Sequence, residues 1–286
     1  MDNEERKKIA GLVNAYKNKE NVANTAGIPN DEYIGMAKET DPDLLMSYEI
    51  VKLPSQGIFY KNGISEVNVE YMTSRDEDLI TTPSLIENNT VLDILLKRKI
   101  KSSGVQVENL ISGDRNAIIL FLRISSYGNE YTVMVNDPRT GSPFKATVDL
   151  LSLGYKEIVE LPDVLGYYTV QLPMRKKEVK IRILTSGEDN YISKQADAIQ
   201  EAYGEEFSSY NTMRLKASIV SIGGNEDRTY IDKFVDAMPA LDAYTIRKKI
   251  VDVTPDVDMK YQFTAKDGYK FYANLEVGPD FFFPQN

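Results

Sequence analysis

The chain has no cysteine, no histidine and no tryptophan among its 286 residues. Without cysteine there is no disulfide, no thiolate nucleophile and no thiolate metal ligand. Without histidine, the commonest general base and the commonest nitrogen ligand are missing as well. Ser–His–Asp and Cys–His machinery, zinc fingers and histidine-ligated haem are thereby excluded together. There is also no apolar run of the roughly 18 residues that a membrane-spanning helix needs, and MDNEERKKIAG lacks the apolar stretch of a signal peptide. The expectation is a soluble protein made and used in a cytoplasm, or released from one by lysis, with no membrane insertion. A net charge of −9 argues against a nucleic-acid partner held through the overall field.

What remains is enough for a real core, with 42% hydrophobic residues over a length of about two domains. Catalysis would have to rest on carboxylates, Lys, Tyr, Ser or a hard cation. With 43 acidic residues, clusters such as DPD (41–43) and RDED (75–78) arise by chance, and RDED reads as a helix start. No phosphate-binding loop, dinucleotide fingerprint or nucleophile elbow is present. ISGDRN and SIGGNEDR are glycine-bearing helix starts, but Asp114 and Asp227 at the same ends oppose an anion. No catalytic residue, metal site or cofactor is assigned.

Residues 3–20 read as an amphipathic helix, with Ile9, Leu12, Val13 and Tyr16 at helical spacing. So short a helix is marginal alone; it packs either on this chain's own body or on another subunit. A polar, turn-rich tether follows, making 1–46 an N-terminal arm. The body alternates strands and helices without a regular βαβ rhythm, so the class is α+β, divided into 47–175 and 176–286. SYEIVKL and SEVNVEYM are strands. Thr73–Ser74 with Glu77 and Asp78 behind them resembles a capped helix start. Helix 91–101 ends in KRKIK, a solvated last turn. GDRNAIILFLRISSYG (113–128) is apolar nearly all round apart from Arg123 and is the core helix, with Asp114 satisfying its free N–H groups. Further on, GYYTVQLP and EVKIRIL are strands, 188–203 is a helix, and MRLKASIVSI is a strand or a buried helix. Two helices then break at Met238–Pro239, the second burying Leu241, Tyr244 and Ile250. Asp-Arg starts a helix at both Asp114 and Asp227, a rough internal echo. Phe281, Phe282 and Phe283 stand in a row: either this segment tucks into the core, or one ring or more enters a neighbour's pocket. With the N-terminal stripe they are the candidate partner-binding residues.

Two turns have the shape of zinc knuckles. VNDPRTGSPF (135–144) puts Asp137 and Thr140 ahead of Gly141, where a ribbon would carry Cys-x-x-Cys-Gly. FTAKDGYKF (263–271) puts Thr264 and Asp267 ahead of Gly268. Two carboxylates and two hydroxyls make a poor zinc set, so both turns are expected to hold their shape by Asp, Pro and Gly turn chemistry without metal.

LPSQGIFY (53–60), YMTSRDEDLI (71–80), SGDRNAIILFLRISSYGNEY (112–131), FVDAMPALDAYTIRKKI (234–250) and DMKYQFTAKDGYKFYANLEVGPDFFFP (258–284) together resemble the baseplate proteins of T-even-type, contractile-tailed bacteriophages, associated with building the central hub. The resemblance covers most of 47–284 and none of the first ~45 residues. It implies Cys-x-x-Cys-Gly at both hairpins, and here all four thiols are absent. It further implies a non-enzymatic structural component or assembly factor working through contacts with other baseplate or hub proteins in a hetero-oligomeric assembly. A carboxylate- and Mg²⁺-dependent hydrolase, or a cellular adaptor domain unrelated to tails, are the alternatives.

Overall fold

A computed structural model describes residues 47–87, 90–203, 208–275 and 279–282; the N-terminal arm and its stripe of Ile9, Leu12, Val13 and Tyr16 lie outside the described residues. The fold is α+β, built from small antiparallel sheets and helices. β1 (Tyr48–Lys52) pairs with β2 (Glu66–Glu70), burying Val51, Val67 and Val69. α1 (Ser74–Ile80), the short α2 (Pro83–Glu87) and α3 (Val91–Lys99) follow, then α4 (Ser112–Tyr127). The hairpin β3 (Glu130–Asn136) and β4 (Pro143–Asp149) comes next, in unbroken register from Glu130↔Asp149 to Asn136↔Pro143.

β5 (Tyr168–Gln171), β6 (Glu178–Ile181) and β7 (Ile219–Ile222) form a three-stranded sheet. Between β6 and β7 lie α5 (Ser186–Tyr203) and α6 (Tyr210–Ser218). MRLKASIVSI therefore contains both a helix end and a strand. α7 (Arg228–Asp236) and α8 (Ala240–Val253) break at Met238–Pro239 as expected, with Pro239 as the N-cap. The second hairpin, β8 (Lys260–Thr264) and β9 (Lys270–Asn274), precedes a 3₁₀ turn at Pro279–Phe282.

Two hydrophobic clusters organise these elements. The first takes its residues from Val51 to Leu150 and again from Val257 to Phe282; the second runs from Tyr168 to Val253. Residues 168–175 thus pack with the later half of the chain, and the second hairpin packs with the earlier half. Helix α4 is the centre of the first cluster, with Ile118 and Leu122 fully buried. Its N-terminus meets the returning chain so closely that a Cβ on Gly113 would lie 1.9 Å from the Pro255 carbonyl oxygen. Only glycine permits that approach.

On one helix the buried face keeps Ile250 but not the other two residues expected there. Leu241 and Tyr244 of α8 are exposed, and the buried stripe is Ala243, Ile246, Ile250 and Val253. Both stripes have helical spacing, and packing against β5 selects the β-branched and small residues.

Candidate functional site

The acidic and basic runs are used internally. Thr73 caps α1 through a capping box whose acidic partner is Asp76, one residue before the expected Glu77. Asp76 has no exposure and accepts from the Thr73 amide at 2.9 Å, the Thr73 hydroxyl at 2.8 Å and Arg98 Nε at 3.1 Å. Lys99 Nζ completes its shell at 2.5 Å and also donates to the Tyr71 carbonyl at 2.9 Å. Burial opposes ionisation of Asp76, but the bonds from Lys99 and Thr73 outweigh it and hold the carboxyl below its ordinary value. In the run KRKIK Lys97, Arg98 and Lys101 are exposed as a solvated turn requires, and Lys99 is the exception, buried against Asp76.

Asp114 also differs from expectation. It is the third residue of α4, and its carboxylate accepts from the Ser55 amide at 2.9 Å and from the Ser55 and Tyr60 hydroxyls, each at 2.5 Å. Burial raises its pKa above the usual range against those bonds. The Tyr60 phenol is raised too, by burial and then by the Asp114 charge, while its oxygen accepts from the Ile111 amide at 3.1 Å. The cluster pins the loop 53–60 onto the start of the core helix. Asp227, its supposed echo, is instead a true N-cap for Thr229 and Tyr230. The structural counterpart of Asp114 is Asp242, the buried third residue of α8, which accepts from the Met174 and Arg175 amides at 2.8 and 3.0 Å. In both core helices a carboxylate in the positive first turn holds a loop's backbone.

Arg123, the polar exception in the core helix, is 2% exposed. It donates to the carbonyls of Phe281 at 2.9 Å, Gly128 at 2.9 Å and Glu130 at 3.2 Å, and lies over the rings of Tyr127 and Tyr131. Burial lowers its pKa, and carbonyl oxygens rather than a carboxylate satisfy it. Through Arg123 the Pro279–Phe282 turn is clamped to α4. Phe281 and Phe282, named above as partner-binding candidates, are both buried in their own chain's first cluster, where Phe281 meets Tyr131 edge to face. That segment tucks into the core at these two rings, and Phe283 lies outside the described residues.

The two knuckle-shaped turns face each other. Arg139, between the positions singled out in the first turn, ion-pairs with Asp267 of the second and stacks over Tyr269 at 4.2 Å. Asp137 accepts from the Arg139 amide at 2.9 Å, an Asx turn, and Gly141 and Gly268 have φ of +70° and +87°. Phe144 and Phe271 meet edge to face beneath the turns. Where a ribbon would place a cation between the turns, this arrangement places a guanidinium. Among the described residues no group of three or more Asp and Glu side chains is disposed to hold a metal, and no helix is long and apolar enough to cross a membrane.

Among the described residues two apolar stretches of surface lie near the core helix and at the connection between the clusters. One is a groove of about 820 Å³ beside β1, lined by Ile50, Phe121, Leu151 and Tyr155 over the outer face of α4. The other is the connection from Val159 to Leu165 between the two clusters, in which Val164 is fully exposed. Neither stood out in the sequence, because exposure of an apolar residue is a property of the fold around it.

In this α+β scaffold buried carboxylates and an arginine bind the chain's own backbone, and apolar side chains remain outside. The family model described as "T4 bacteriophage base plate protein" matches residues 45–282, and the chain belongs to that family. No curated protein and no solved structure matched it. It is a structural component of a phage baseplate.

Proposed function

We propose that this chain is a non-enzymatic component or assembly factor of the hub region of a contractile phage tail baseplate. It acts through contacts with other baseplate or hub proteins, in the finished tail or in the host cytoplasm during assembly. The family match over residues 45–282 carries this reading. The engagement of Asp76, Asp114 and Asp242 in backbone and hydroxyl bonds supports its non-enzymatic part, because those carboxylates hold loops in place. In this reading the N-terminal stripe of Ile9, Leu12, Val13 and Tyr16 contacts a partner protein, and the zinc site implied by the resemblance has no role.

The test is removal of residues 1–20 and, separately, of the whole protein from the phage. Truncation leaves the melting temperature of the body unchanged and lowers its recovery with tail proteins; complete removal stops baseplate assembly. Normal tails without the protein, or a full-length chain that never co-purifies with a baseplate protein, would refute the proposal.

A further inference from the structure

β1 is an edge strand with a groove along its open side. The bonds from the Leu53 amide to the Ser65 carbonyl and from the Tyr71 amide to the Ser47 carbonyl fix the phase of its pairing with β2. Antiparallel pairing alternates, so Tyr48, Ile50 and Lys52 point their backbone groups away from β2. The Tyr155 hydroxyl confirms this direction by donating to the Lys52 carbonyl at 2.8 Å, which closes that end of the groove. The outward amides and carbonyls of Tyr48 and Ile50 have no hydrogen-bond partner among the described residues. An open edge beside an apolar floor is the arrangement that accepts an added strand.

The same chain carries a segment of matching chemistry. Glu157–Leu161, sequence EIVEL, has no regular secondary structure, and none of its amides bonds to backbone among the described residues. Val159 and Leu161, two residues apart and so able to share one face of a strand, are 69% and 68% exposed. The segment is anchored on both sides, by the Lys156 amide on the Asp256 carbonyl at 2.9 Å and the Asp163 amide on the Tyr167 carbonyl at 2.8 Å. Within its own chain Glu160 is tied to Lys249 of α8, and Val159 and Leu161 do not line the groove. The groove is lined by both Glu49 and Lys52, and Lys52 is the counterpart for Glu157 of the segment; neither Lys52 nor Glu157 has an ion-pair partner among the described residues.

We propose that the groove receives residues 157–161 of a second copy of this chain, added as a strand to the open edge of β1. Groove and segment are different surfaces. Two copies that insert their segments reciprocally close a two-fold dimer; insertion one way only leaves a free groove and a free segment, and association then proceeds until a ring closes or a filament grows. This contact does not depend on the hub reading.

Sedimentation velocity of the full-length chain over a wide concentration range tests it. Wild type is expected to associate with increasing concentration. Ile50→Lys with Leu151→Arg blocks the groove, and Val159→Asp with Leu161→Asp blocks the segment; all four side chains are exposed, so the fold is retained. Each variant alone is monomeric. Mixed, they form dimers and nothing larger, because each supplies the half that the other lacks. Should a charged variant fail to fold, a peptide of residues 155–163 added to wild type must dissociate the oligomer. A wild type that stays monomeric overturns the proposal, as does a mixture that stays monomeric. Association that persists in either variant also overturns it, by pointing to another surface such as the N-terminal arm. A monomeric chain that still enters baseplates would overturn this contact and leave the hub reading standing.

Discussion

The guanidinium of Arg139 is ion-paired with the carboxylate of Asp267 across 128 residues of sequence, joining the turns of two hairpins. Both side chains are about half exposed, so the pair is screened by salt as surface pairs are. Asp267→Asn is expected to lower the melting temperature slightly at low ionic strength, and the difference from wild type disappears in high salt. A difference that persists in high salt would mean that the turns depend on this pair more than its exposure allows.

The turn glycines matter more than the positions that ligands would occupy. At Gly141 and Gly268 an added Cβ meets no other atom, but both residues have positive φ. Gly141→Val or Gly268→Val should cost ~1 kcal/mol or more through backbone strain alone. Asp137→Asn keeps the oxygen that accepts from the Arg139 amide and should leave stability near wild type. Chemical denaturation of the three variants compares them directly.

Leu122 has no solvent exposure in the core helix. Leu122→Ala should cost about 2–5 kcal/mol, the range for large-to-small core changes. A cost near zero in a denaturant titration would contradict the central place of α4.

Asp76 and Asp114 respond to acid in opposite senses. The folded-state pKa of Asp76 lies below its unfolded value, so its contribution is fully present above the unfolded pKa and is lost as pH falls through the folded one. Asp114 has a raised folded pKa, so its ionisation costs stability as pH rises through that value, and acid relieves the cost. At neutral pH, Asp76→Asn should lose about 3 kcal/mol, because buried Lys99 loses its nearest anion and keeps only Glu70, 3.5 Å away. That deficit should shrink as pH falls from the ordinary carboxylate value of about 4, where the unfolded chain takes up the proton, down through the lower folded value. Urea titrations of both proteins at neutral and acid pH provide the check; a deficit independent of pH would detach it from the Asp76 charge.

Arg123→Met keeps the apolar stem and removes the donors to Phe281, Gly128 and Glu130. The buried Phe281 carbonyl left without its donor should cost about 1–3 kcal/mol, and the segment beyond Leu275 should become the first site of limited proteolysis. Unchanged resistance to protease would show that Phe281 and Phe282 hold that segment without the clamp.

The elements themselves were legible because helix and strand periods are local. The core helix, both hairpins, the Met238–Pro239 break and the Thr73 cap all follow from residues within a few positions of one another. The polar partners were not legible in this way. Asp114 meets Ser55 from 59 residues away and Arg123 meets Phe281 from 158. No period encodes such distances, so Asp114 read as an ordinary cap and Arg123 as a flaw in an apolar face. The exposed face of α8 was misread because Leu241 and Tyr244 have the same spacing as the residues that are buried. The contact between the two knuckle turns rests on Arg139, which lies between the two positions compared with ligands.

The first cluster draws on residues up to Leu150 and then waits for Val257, Phe263, Leu275, Phe281 and Phe282, whereas the second is complete at Val253. On the ribosome, then, the half that emerges first is the half that finishes last. Its apolar face, with the Arg123 guanidinium still lacking the Phe281 carbonyl, stays open throughout synthesis of the second cluster. A nascent chain of this design exposes its stickiest surface early and for longest, and that is the interval in which a chaperone would be needed.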